Sequence, residues 1–149
     1  MSPELRDVIL DEFDSLRREQ NVFKPLLLDL SHREPTHLEL RAIGGLLQSI
    51  YTGMERVLKH ALTELDGSVP TSASWHADLL RQAADATAKR PPLITAGLYV
   101  SLVDLMGFRH MYRHAYGFHL SWERMKTSTL TVSDVADRFQ EEIGILLQD

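Results

Sequence analysis

The chain contains no cysteine. That absence excludes a disulfide framework, thiolate-bound zinc, cysteine-ligated iron–sulfur clusters and a cysteine nucleophile. It also favours a reducing compartment, so a cytoplasmic protein is expected. No apolar run approaches the roughly 20 residues that a membrane span needs, and no membrane role is expected. The opening stretch MSPELRDVILDEF is acidic and amphipathic, without the basic and apolar regions of a secretory signal. There is no alternating strand pattern, internal repeat, low-complexity segment, interdomain linker or Gly-rich phosphate loop. Cations are in deficit, with 16 Lys and Arg against 21 Asp and Glu and a net charge of −5. Averaged over the whole chain, that argues against nucleic acid, because phosphate contacts need cations.

What is present suits one domain over residues 1–149, with a hydrophobic fraction of 44% that can fill a core. Ser2 caps and Pro3 opens a first helix over about residues 3–19, in which Leu5, Ile9, Phe13 and Leu16 recur at helical spacing. Pro25 and Pro35 mark the following stretch as an irregular connector, buried through Leu26, Leu27, Leu28 and Leu30. Thr36 and Glu39 form a capping box for a long second helix ending at Asp66-Gly67. Its stripe of Ile43, Leu47, Ile50, Met54, Val57, Ala61 and Leu65 is nearly heptad, which predicts shallow packing on a neighbour. Gly44-Gly45 predicts a close approach, and Glu55 with Lys59 reads as a surface i,i+4 pair. A third helix follows from Trp75 through Ala88, capped by Ser72 or Ser74 and stopped by Arg90-Pro91-Pro92. A fourth runs from about Leu93 to Tyr116 with Leu98, Leu102 and Leu105 inward, and Gly117 ends it. A fifth helical region spans about 120–148, with a candidate break near Lys126–Thr131 and a stripe of Val135, Phe139, Ile143 and Leu146. The fold expected is all-α, an antiparallel bundle of four or five helices.

One segment departs from bundle composition. Residues 107–126, GFRHMYRHAYGFHLSWERMK, hold Arg109, Arg113, Arg124 and Lys126 against Glu123 alone. The local balance is +3, leaving −8 for the rest of the chain. The segment also holds Phe108, Tyr112, Tyr116, Phe118 and Trp122, and the histidines His110, His114 and His119. Arginine interleaved with aromatics grips phosphates and stacks bases. The alternatives are plain: Arg113 and Lys126 as solvated charges, Phe108, Tyr112 and Trp122 as packing, and Tyr116 as a buried ring with a bonded hydroxyl. His110 and His114 have a metal-compatible spacing but no defined third ligand, so no metal is assigned. His32, His37, His60 and His76 are scattered and read as structural or exposed, and Trp75 as a pin for the loop before it. On an ideal helix His114 lies roughly 140° around from Arg109. A distorted or ending helix, or a two-fold dimer, is needed to bring such groups to one site.

The run Arg109-His110-Met111-Tyr112-Arg113-His114-Ala115-Tyr116 resembles the signature of the HEPN superfamily, an Arg, a polar residue, three more positions and then His. The Tyr two residues after His resembles the HepT-like branch, as do the upstream IYTGMERVLKHAL and VPTSASWHADLL and the WERM that follows. The resemblance implies a dimerising bundle with two motifs in one cleft, acting as a metal-independent RNase toxin without a cofactor. It implies a partner, a minimal nucleotidyltransferase antitoxin that transfers AMP to the motif tyrosine, here Tyr116. Arg113 departs from the pattern, since many relatives carry an apolar residue there, and it makes this motif more basic. In metal-free RNA cleavage the substrate's own 2′-hydroxyl attacks, leaving 2′,3′-cyclic phosphate ends. Histidine can carry the protons and Arg can hold the phosphorane charge. His114 is thus a candidate base or acid, Arg109 the transition-state cation and His110 an orienting or assisting group. Arg113, Arg124 and Lys126 are candidate RNA contacts. Two other classes stay open: a non-catalytic helical partner of a nucleotidyltransferase that binds nucleotide or phosphate, and a plain structural dimeric bundle.

Overall fold

The computed structural model describes residues 1–114 and 120–148, with the side chains of Arg113 and His114 outside the described set. Five helices build it: α1 (Pro3–Asp29), α2 (His37–Asp66), α3 (Trp75–Ala84), α4 (Ala96–His114) and α5 (Trp122–Gly144), closed by a 3₁₀ turn at Ile145–Gln148. No strand occurs among the described residues. The chain is thus all-helical, as its periodicities predict.

Helix α2 packs against each of the other four helices. Its buried set therefore exceeds the predicted stripe, adding Leu46, Tyr51, Glu55, Leu58 and Leu62 to Ile43, Leu47, Ile50, Met54, Val57 and Ala61. Thr36 and Glu39 close a reciprocal capping box at its start. Gly67 ends it at φ 83°, a left-handed conformation that costs glycine little.

Several boundaries differ from expectation. Helix α1 does not stop near residue 19 but continues through Pro25 to Asp29. Proline removes the bond to the carbonyl four residues earlier, here that of Asn21, and both residues are exposed, so water can satisfy the carbonyl. The far half of α1 is held by Phe23, Leu26 and Leu27 against the core, whereas Leu28 is exposed. Helix α3 ends at Ala84, earlier than expected, and the Ser74 hydroxyl donates to the Asp78 carboxylate instead of capping the backbone. Helix α4 starts at Ala96, where Thr95 accepts from the Leu98 N–H and is itself held by Glu142 of α5. Helix α5 runs unbroken past Lys126–Thr131. Thr129 and Thr131 there bond back to the carbonyls of Met125 and Thr127, which keeps their hydroxyls satisfied inside the helix. The predicted end of α4 at Tyr116-Gly117 lies outside the described residues.

The Gly44-Gly45 pair divides in two. A Cβ on Gly44 would stand 2.5 Å from Cε2 of Tyr112, so the absent side chain is what lets α4 lay that ring on α2. A Cβ on Gly45 would meet nothing within 4 Å. Gly44→Ala is expected to destabilise by about 1–3 kcal/mol through overpacking. Gly45→Ala is expected to stabilise by about 0.5–1 kcal/mol through helix propensity. Thermal or urea unfolding of the two variants checks this, and shifts of the same sign and size would contradict it.

Candidate functional site

The second buried face of α2 carries the one acidic side chain in the described core. Glu55 is only 5% exposed. It is no surface partner of Lys59, as its spacing had implied; it is buried where α3 packs on α2, with His76 against it. A buried carboxylate needs donors, and two reach its Oε2. The Tyr51 hydroxyl, one turn earlier, donates at 2.6 Å. Nδ1 of His76, at the start of α3, lies at 2.6 Å. A carboxylate only accepts, so Nδ1 carries the hydrogen and Nε2 is left with the lone pair. Trp75 stacks on the His76 ring at 3.6 Å between centroids, and the Lys59 ammonium sits 4.9 Å above the indole. Lys59 thus belongs to the same cluster by a different contact.

Arg109 enters from α4. Its guanidinium lies over the Tyr51 ring, 5.9 Å from the centroid, within the range of cation–π attraction. Burial pushes the Tyr51 hydroxyl well above its ordinary range, and the hydrogen bond to Glu55 pushes it further, while the nearby positive charge of Arg109 opposes both. Arg109 Nε is enclosed and has no hydrogen-bond partner among the described residues. A buried unpaired donor costs about 1–3 kcal/mol, which fits a guanidinium kept for an anionic ligand better than one kept for stability.

Of these groups His76 and Arg109 line a cleft of about 360 Å³ between the start of α3 and the middle of α4, with Ser74, Met106, Gly107 and His110, whereas Glu55, Lys59 and Trp75 line a groove on the other side of the network. Two wider grooves of about 970 and 770 Å³ lie along α1 and α2, but neither contains Arg109, His76 or His110. The chemistry, not the volume, singles out the smaller cleft. Of the predicted site residues, Arg109 and His110 come together here. Arg124 and Lys126 are exposed at the start of α5 and do not line it. The side chains of Arg113 and His114, and all of Tyr116, lie outside the described residues. Phe108 and Tyr112 stack at 5.9 Å as packing groups. Among the described residues no group of three or more His, Asp or Glu is placed to hold a metal ion.

Three residues of the cluster escaped the sequence reading in this role: Tyr51, Glu55 and His76. The available signal was the width of the apolar pattern on α2. Leu46, Leu58 and Leu62 fall outside the heptad stripe, which marks a helix buried on more than one side.

Residues 42–148, well over half of the chain, match a family model described as HepT-like protein. No curated protein and no solved structure matches the chain. No helix among the described residues is long and apolar enough to cross a membrane.

Glu55→Ala would strand the Tyr51 hydroxyl and the His76 N–H, and is expected to cost about 3 kcal/mol. Lys59→Ala, which loses only the contact with Trp75, is expected to cost less than about 1 kcal/mol. Denaturant unfolding gives both values, and equal losses would contradict the buried network.

Proposed function

The chain belongs to the HepT-like family, and from that premise we propose that it is a metal-independent endoribonuclease toxin whose paired antitoxin is a nucleotidyltransferase. The observation that carries the reading is Arg109, seated on Tyr51 with its Nε unpaired among the described residues, at the wall of a cleft that also holds His76 and His110. A guanidinium can hold two phosphate oxygens and stays charged as the phosphorane forms. Imidazole supplies proton transfer near neutral pH.

In this reading RNA lies with its scissile phosphate against Arg109. The 2′-hydroxyl attacks phosphorus, the 5′ oxygen leaves, and the products are a 2′,3′-cyclic phosphate and a 5′-hydroxyl. His114 acts as base or acid, on the strength of the motif alone, and His110 orients or assists. Arg113, Arg124 and Lys126 hold the flanking backbone. A homodimer brings both motifs to one composite site. Control comes from the antitoxin. The Tyr116 oxygen attacks the α-phosphate of ATP, pyrophosphate leaves, and the attached AMP sets an anion in the place of the substrate phosphate. The expected setting is the cytoplasm, where RNA and ATP are at hand.

Purified protein should therefore cut unstructured RNA in excess EDTA. His114→Ala should abolish the cutting, and Arg109→Ala should reduce it by about 10²–10³-fold, the usual loss when a transition-state donor is removed. Binding of RNA without cleavage by the native chain would instead favour a non-catalytic partner subunit. Intact mass after incubation with the antitoxin and ATP should rise by whole AMP units. A mass that does not change, or one that still rises in Tyr116→Phe, contradicts the proposed switch.

A further inference from the structure

The cleft contains a second histidine that the Arg–His motif does not include. His76 comes from α3, about thirty residues upstream of the motif in sequence, and reaches the cleft because α3 packs on both α2 and α4. Its side chain is 29% exposed, whereas the Glu55 carboxylate that holds it is 7% exposed. One ring edge is therefore anchored in the core, one face is covered by Trp75, and the residue lines the cleft. The anchoring bond is to Nδ1 at 2.6 Å, and His76 makes no other hydrogen bond among the described residues. A carboxylate on Nδ1 fixes the tautomer and the ring orientation and leaves the lone pair on Nε2. Stacking on Trp75 holds the plane of the ring. His76 and Arg109 both line this cleft.

We propose that His76, positioned by Glu55, is a catalytic general base of this cleft, an assignment that rests on the RNase reading above. Nε2 of His76 takes the proton of the RNA 2′-hydroxyl as the 2′ oxygen bonds to phosphorus. The bond from phosphorus to the 5′ oxygen breaks, and that oxygen receives a proton from the acid of the Arg–His motif, the role His114 holds in the RNase reading above. Arg109 holds the two non-bridging oxygens while their charge grows. One proton leaves the substrate and one is returned, so the reaction needs no oxidant, reductant or co-substrate. The Tyr51 hydroxyl, also on Glu55 Oε2, ties the base to the cation, because the same ring carries Arg109.

The test uses the full chain with single-stranded RNA in EDTA. His76→Gln and His76→Ala should each lower kcat by about 10²-fold or more while KM changes little, the loss expected when a general base is removed. Added imidazole should restore part of the kcat of His76→Ala and none to His114→Ala in the motif. In the native protein, an uncleavable 2′-deoxy oligonucleotide should shift the ring resonances of His76, assigned by correlation to its own backbone amide. An active native chain whose His76 variants retain full activity overturns this assignment and leaves the RNase reading standing. Loss of activity that imidazole does not restore, in variants with native helical circular dichroism, also overturns it. If both variants unfold, the native ring resonances decide, and their indifference to the oligonucleotide overturns it. An inactive native chain overturns both readings.

Discussion

One buried carboxylate organises this molecule. Glu55 sits on α2, the helix that touches all the others, and a charge there must be met by donors from several directions. Tyr51 meets it from the same helix and His76 from α3, while Arg109 from α4 brings its charge over the Tyr51 ring. Three helices are thereby fixed relative to one another by polar contacts and not by apolar burial alone. Apolar packing tolerates small slides; two short hydrogen bonds to one oxygen tolerate few. The cleft between α3 and α4 is where that constraint reaches the surface.

The placement of the cations resolves an apparent conflict in the charge. The chain as a whole is anionic at −5, yet the segment 107–126 carries +3. A protein that coated a nucleic-acid backbone would spread its cations along a face. Here the cation at the cleft is held by an aromatic ring, with an acid one hydrogen bond behind it. That arrangement suits engagement of a few phosphates, and it keeps the guanidinium in place without consuming all its donors.

Much of the fold was legible in the sequence. The capping box at Thr36, the stop at Gly67 and the inner stripes of α1, α4 and α5 follow from local chemistry, and the structure carries them as expected. Pro25 misled because its cost depends on exposure, which sequence does not state. The break expected near Lys126–Thr131 is absent, since Thr129 and Thr131 bond back to carbonyls within the helix. The site divided in the same way. Arg109 and His110 were legible from a motif within one helix. Tyr51, Glu55 and His76 were not, since they become neighbours only when α3 folds back on α2, and an i,i+4 Glu–Lys pair looks the same on a surface or in a core.

The proposed activity is cleavage of RNA by transesterification, with protein side chains moving the protons. The ends of the RNA fragments test it most directly. Mass spectrometry of fragments produced by the native chain in EDTA should find 2′,3′-cyclic phosphates paired with 5′-hydroxyls. Fragments ending in 3′-hydroxyls and 5′-phosphates would contradict the account, because those ends require water and not the 2′-hydroxyl as the nucleophile.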